Sequence, residues 1–168
     1  MINSAPKQPT KYRQGLYTPK NKDKVIKLNS KGGLWYRSGL EQKMMIYLDN
    51  NSKIVNWGAE HLSIPYEKTE YDNDTKDLKT TEHCYYPDFY YELLREDGTV
   101  MKVVAEVKPL SETMEPKLPH NPTSKQLKNF EYSLKMYNKN LSKWTYMIEY
   151  CRKKGFEFII VTEERLGK

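Results

Sequence analysis

Tyr86-Pro87-Asp88 and Val104-Ala105-Glu106-Val107-Lys108 decide the fold, because Asp97-Gly98 lies midway between them. Asp-Gly is a strong hairpin signal. A two-residue turn at 97–98 makes Glu96 face Thr99 and Asp88 face Val107, one position from Glu106. A bulge at Pro87 shifts that register by one and brings Asp88 opposite Glu106 itself. Residues 103–107 form a near-continuous apolar run, as in a strand covered on both faces. Pro109 ends it, since proline cannot donate to the ladder. The partner stretch, 84–94, is rich in aromatic and β-prone residues. Glu106 and Lys108 are two apart and share a strand face.

A carboxylate inside an apolar strand is costly unless it is paired or binds a metal. Asp88, Glu106 and Lys108 at one strand end are the groups that a metal-dependent phosphodiester nuclease needs. Asp88, Glu106 and the Val107 carbonyl are the expected ligands of Mg2+, with Mn2+ as a substitute. Lys108 is expected beside the water or the phosphate. The bland alternative is an edge hairpin with a surface Glu106–Lys108 pair, which contributes little to stability. Pro-Asp and Glu-x-Lys are each common by chance. Their symmetric placement about one turn favours the site.

A chain of 168 residues is long enough for one domain with a real core and appended arms. No apolar run approaches the roughly 20 residues of a bilayer span, so no membrane partner is expected. The first residues carry no apolar signal core. Cys84 and Cys151 give no disulfide framework and fit a reducing cytosol. His61, His83 and His120 have no zinc spacing, and His83 is expected to lie outside the site.

The net charge of +6 is unevenly placed. Residues 1–34 hold eight Lys/Arg against one acid, Asp23, which is +7 and leaves −1 for the rest. A basic arm on a near-neutral body points to a nucleic-acid partner. The arm is expected to be extended, with Lys11, Arg13, Lys20, Lys22, Lys24, Lys27 and Lys31 on phosphates and tyrosines available to stack on bases. A merely solubilising tail is the alternative. The remaining residues, 35–168, form the expected nuclease domain.

Helical spacing of Leu40, Met44, Tyr47 and Leu48 predicts a helix from Trp35 to about Leu48. Arg37 lies one turn before Glu41 on it, as its ion-pair partner or as a DNA contact. Short strands are expected at 53–57 and 62–66, and a polar acidic loop at 67–82. A proline-containing loop follows at 109–123. Ser124 is expected to cap a helix to about Tyr137, with Leu127, Phe130, Leu134, Tyr137 and Leu141 inward and Lys125, Lys128, Lys135 and Lys139 off that stripe. Ser142 is expected to cap a second helix ending at Gly155, with Trp144, Met147, Ile148 and Cys151 inward. Residues 156–162 read as a strand. The order gives an α/β fold with a mixed central sheet flanked by helices, and it resembles the core order of restriction-endonuclease-like nucleases. A leading helix in that core offers an acid to the site, and Glu41 is the candidate.

The chain resembles the head completion nucleases of T-even-type tailed phages, in the PD-(D/E)xK superfamily. The matching pieces include Tyr17-Thr18-Pro19-Lys20-Asn21, Tyr36-Arg37-Ser38 with Glu41, Trp57-Gly58-Ala59-Glu60, Tyr86-Pro87-Asp88-Phe89, Glu106-Val107-Lys108-Pro109, Lys143-Trp144 and Thr162-Glu163-Glu164-Arg165-Leu166-Gly167. Leu40 stands where that family usually has an aromatic. The resemblance implies that Glu41, Asp88, Glu106 and Lys108 are the catalytic set, with Glu41 holding a second metal or orienting a water. It implies double-stranded DNA as substrate, and a role in finishing a DNA-filled head before tail attachment. Head, portal or neck proteins are then the expected partners, in the host cytoplasm during assembly or in the virion. Lys125, Lys128 and Lys135 are expected to help hold the phosphate backbone. Two other readings are kept open. One is a structure-selective nuclease, either a junction resolvase or the end-cutting subunit of a transposase. The other is a non-catalytic DNA-binding head or neck protein.

Overall fold

The computed structural model describes residues 13–72 and 76–167. In chain order the elements are β1 (Gly15–Tyr17), a single 3-10 turn (Lys22–Lys24), β2 (Leu34–Tyr36), α1 (Gly39–Asn50), β3 (Ile54–Ala59), β4 (Ile64–Asp72), β5 (Asp77–Tyr85), β6 (Phe89–Leu94), β7 (Val100–Val107), α2 (Leu110–Thr113), α3 (Ser124–Lys154), β8 (Glu157–Val161) and α4 (Glu163–Leu166). The central sheet has the order β3-β6-β7-β8. β3, β6 and β7 are antiparallel neighbours, and β8 runs parallel to β7. The fold is therefore mixed α/β with helices on the sheet, as the element order predicts. No helix among the described residues is long and apolar enough to cross a membrane.

The register of β6 and β7 sets everything that follows. Phe89 pairs with Ala105 and Glu92 with Lys102, so the next step places Asp88 across from Glu106. The expected two-residue turn is instead a three-residue one. The Arg95 N–H donates to the Thr99 carbonyl at 2.8 Å, and the Gly98 N–H donates to the Arg95 carbonyl at 3.1 Å. Gly98 has φ +80°, a conformation that glycine adopts without steric cost. The Asp97 side chain fastens the turn by accepting from the Thr99 N–H at 2.9 Å and the Thr99 hydroxyl at 2.6 Å. The one-residue shift thus arises at the turn, not from a bulge at Pro87.

Alternation along β7 divides the core in two. Val103, Ala105 and Val107 pack with Trp57, Phe89, Tyr91 and the α1 residues Met44, Met45 and Leu48. Val104 faces the other way, onto Tyr85, Tyr90 and the α3 residues Met147 and Cys151. Glu106 shares the Val104 side by strand periodicity, so it points towards α3.

Four expectations change. The leading helix begins at Gly39, not Trp35: residues 34–36 pair with 15–17 as strands, and the Ser38 hydroxyl caps the helix by accepting from the Glu41 N–H. The acidic stretch 67–82 is not a loop. It forms the β4–β5 hairpin, with Ile64 facing Tyr85 and Asp72 facing Asp77. Such pairing rests on main-chain hydrogen bonds, which polar residues supply as well as apolar ones. The two expected helices are one, capped at Thr123 by a reciprocal pair with Gln126. No Gly or Pro interrupts it, and the Ser142 hydroxyl donates back to the Asn138 carbonyl at 3.1 Å instead of starting a new helix. The expected inward stripe of its first part packs only in part: Phe130, Leu134 and Tyr137 are half-buried, whereas Leu127 and Leu141 are about 40% exposed. Ile148 is exposed as well, and Trp144, Met147 and Cys151 are buried.

The fourth change concerns the basic arm. Residues 1–12 lie outside the described residues, but 13–34 are docked on the body, not extended. The anchor is Asp49, fully buried at the end of α1. Its carboxylate accepts from the Tyr17 hydroxyl at 2.7 Å, the Lys20 N–H at 2.8 Å and the Asn21 N–H at 3.0 Å. Ile26 adds a main-chain bond to Trp57. Burial works against the Asp49 charge, but these donors outweigh it and hold its pKa below the usual value. Its contribution is therefore present above the unfolded-chain pKa and is lost as pH falls through the lower folded one. Asp49→Ala leaves the three donors without their acceptor. The expected cost is about 3 kcal/mol, read as a lower urea midpoint, with faster tryptic cleavage at Lys20 and Lys24.

Candidate active site

Three strand ends meet where β6 begins. Asp88 immediately precedes β6, and its carbonyl accepts from the Glu60 N–H at 3.0 Å, just past the end of β3. On its other side the Asp88 Oδ2 accepts from the Val107 N–H at 2.7 Å. That bond fixes one carboxylate oxygen at the end of β7 and leaves Oδ1 available to a ligand. Glu106 is almost fully buried at 5% exposure. Its Oε1 lies 3.2 Å from the Lys108 ammonium, and its Oε2 accepts from the Tyr85 hydroxyl.

The electrostatics follow from crowding. Desolvation and then the nearby Glu106 charge push the Asp88 pKa well up, against Lys108 and the Val107 N–H. Burial works against the Lys108 charge, but Glu106 and Asp88 outweigh it and raise its pKa, so Lys108 stays protonated. Burial and the Glu106 charge push the Tyr85 hydroxyl far up, which keeps it a donor. Two carboxylates in a desolvated niche, one with a ligand-ready oxygen and both beside the Val107 backbone, are the donor chemistry of a hard divalent cation. Asp88, Glu106 and the Val107 carbonyl fit such an ion.

Glu41 belongs to an adjoining group. Its Oε2 accepts from the Arg37 N–H at 2.8 Å, so it helps begin α1. Desolvation raises its pKa, against hydrogen bonds from Arg37 and Ser38. The Arg37 guanidinium pairs not with Glu41 but with Glu60, by two hydrogen bonds, the Nη2–Oε2 one at 3.2 Å. Glu41 is close enough to add to the charge felt by Asp88. Among the described residues, however, no three Asp, Glu, His or Cys side chains are gathered around one ion position.

The expected DNA-contact residues are placed as follows. Arg13, Lys20, Lys22, Lys27 and Lys31 are exposed, and Lys31 lies over the Trp35 ring. Lys24 donates to the Asn51 carbonyl at 3.0 Å. Lys11 lies outside the described residues. Lys125 and Lys128 are exposed on the first half of α3. His83 is remote from the carboxylates in hydrogen bonding: it stacks on Tyr66 and meets the Thr81 hydroxyl. Trp144 is core.

Sequence reasoning assigned no role to Tyr85, Glu60 or Lys143. Tyr85 ends β5, a strand hidden by the acidic character of its hairpin. Glu60 and Lys143 stand in the family-like pieces Trp57–Glu60 and Lys143-Trp144, the only signal that marked them. Lys143 projects from α3 over the Tyr85 ring, 5.0 Å from its centre.

A mixed sheet flanked by helices, with an aspartate and a glutamate-x-lysine on adjacent strand ends, defines a restriction-endonuclease-like nuclease. The chain belongs to the family described as "TnsA-like endonuclease N terminal", which matches residues 51–163. The head completion nuclease of Enterobacteria phage T4 is 27% identical over 152 residues, covering 90% of this chain and 92% of that protein. No solved structure matches this chain.

The raised Asp88 pKa has a sign. The folded protein binds this proton more tightly than the unfolded chain, so metal-free stability falls as pH rises from the ordinary carboxylate range through the elevated value. Asp88→Asn is therefore expected to raise the urea midpoint at pH 7 in chelator. Added Mg2+ or Mn2+ is expected to stabilise the wild type and not the variant.

Proposed function

We propose that this protein is a Mg2+-dependent endonuclease that hydrolyses phosphodiester bonds in double-stranded DNA. The carrying observation is the meeting of Asp88 and Glu106 across two strands with Lys108 on the Glu106 side. Asp88, Glu106 and the Val107 carbonyl would hold the cation. When bound, Mg2+ supplies Lewis-acid polarisation of the phosphoryl oxygen and a lowered water pKa. The Val107 N–H aims Asp88, and the Tyr85 hydroxyl aims Glu106. Lys108 places its ammonium where negative charge develops on the attacking oxygen and on phosphorus. Glu41 orients water at the rim of this group. The exposed Arg13, Lys20, Lys22, Lys27 and Lys31, with any contribution from Lys11, would position the phosphate backbone without reading sequence.

We place the activity in phage head completion, on packaged DNA before tail joining, with head, portal or neck proteins as partners. The support is the match to the T4 protein across nearly the whole of both chains. The TnsA-like family match on its own also suits a transposase end-cutting subunit, which needs the same residues. A preference for branched over linear duplex together with a stable dimer would favour such a structure-selective nuclease.

Wild type is expected to cut circular and linear duplex with Mg2+ or Mn2+. Glu106→Ala and Lys108→Ala are each expected to lose about 1000-fold or more of that rate while unfolding cooperatively. Cutting by both variants at the wild-type rate would remove the site assignment. Combined Lys20→Gln, Lys22→Gln and Lys27→Gln should flatten the salt dependence of DNA binding by about 0.9 per lost contact. An unchanged slope would take this face out of the interface.

A further inference from the structure

α3 carries lysines at 125, 128, 135, 139 and 143. At about 100° per residue these five fall within an arc of about 80°. The buried residues of the helix, Asn140, Trp144, Met147 and Cys151, centre roughly 110° away by the same geometry. The one acid between Lys125 and Lys143 is Glu131, about 40° outside the arc. A face that is merely solvated usually mixes both signs, with acid–base pairs one turn apart. Tyr132, 68% exposed, lies inside the arc. The stripe is about 27 Å long, close to eight phosphate spacings along one strand of a duplex.

Its last member is at the site. Lys143 is half-buried and lies over the Tyr85 ring, whose hydroxyl holds Glu106. Burial lowers its pKa, and Glu106, Lys139, Lys108 and Asp88 are among the charges that act on it. The other cations of the site are engaged: Lys108 with Glu106, and Arg37 with Glu60. Among the described residues, Lys143 has no carboxylate at ion-pair distance and no hydrogen-bond acceptor, and its contact is the ring face. A half-buried ammonium without an anionic partner, over the ring whose hydroxyl holds Glu106, is a point charge available to an incoming phosphate.

We propose that Lys143 binds a non-bridging oxygen of the phosphodiester that is cut, and that the lysine stripe of α3 carries that DNA strand to it. This rests on the nuclease reading above. Lys143 is then a substrate-binding residue, distinct from the cation ligands. The aromatic ring beneath it holds the ammonium in place.

The test compares wild type, Lys143→Met, Lys143→Arg and the double variant Lys128→Gln/Lys135→Gln. Single-turnover cleavage of linear duplex at saturating protein is measured with Mg2+. Binding of the same duplex is measured by anisotropy in Ca2+ across a salt series. Methionine keeps the stem on the Tyr85 ring, so the thermal midpoint should not move. Lys143→Met is expected to lower the saturated rate about 100-fold, and Lys143→Arg to restore most of it. The salt slope should flatten by about 0.9 for Lys143→Met and about twice that for the double variant. A Lys143→Met rate within threefold of wild type, or an unchanged slope in the double variant, overturns the proposal. If wild type itself does not cut, the nuclease reading has failed. The slopes then still decide the strand path: flattening in both variants keeps it, and unchanged slopes remove it.

Discussion

The three-residue turn Glu96-Asp97-Gly98 fixes which carboxylates meet. Strand pairing has a period of two, so one residue more or less in a turn changes every facing pair and the face each side chain occupies. With Arg95 bonded to Thr99, Asp88 faces Glu106. A two-residue turn makes it face Val107. The constraint is cheap to build, needing one glycine with positive φ and one aspartate side chain that accepts twice from Thr99. It acts at a distance, since the turn and the site lie at opposite ends of the same hairpin.

What meets there is unfavourable by itself. Two carboxylates share a desolvated niche, and the fold meets this in part by surrounding them with donors. The Val107 N–H goes to Asp88, while the Tyr85 hydroxyl and the Lys108 ammonium go to Glu106. The Asp88 pKa remains well raised despite them, so the donors do not balance the site. Carboxylates perturbed by burial and by a neighbouring like charge cluster at functional sites. The neighbouring group Arg37, Glu41 and Glu60 is better matched, with the guanidinium on Glu60 and the Arg37 N–H on Glu41. It joins β3 to the start of α1 beside the site.

The helices and the N-terminal segment divide their work. α1 and Asp49 close one sheet face and hold residues 13–34 in place, so the basic residues there sit on a built surface. α3 closes the other face with its second half alone. Its first half extends beyond the core with its lysines and Tyr132 in solvent.

Much of this was legible in the chain because it is local. Asp97-Gly98 marks the hairpin, Pro109 the end of its second strand, and the apolar run around Glu106 a carboxylate that needs a partner. The family resemblance rests on short pieces that survive without their context. Other features depend on partners far apart in sequence. Residues 13–34 read as a free basic arm because the acid that docks them, Asp49, looks like part of a helix-ending polar cluster. Residues 67–82 read as a loop because main-chain pairing does not depend on apolar side chains and so leaves little trace in an acidic stretch. Arg37 finds Glu60 and not Glu41, and Lys143 meets Tyr85, only once the strands and α3 are in place. The sequence by itself determined the fold class and the Asp88, Glu106 and Lys108 set, since turn chemistry and strand alternation are properties of neighbours. Only the structure decided that the turn holds three residues, and so the register that joins that set, because Asp97-Gly98 suits a two-residue turn as well. It also decided the side chains that surround the set, because those come from segments far apart in sequence.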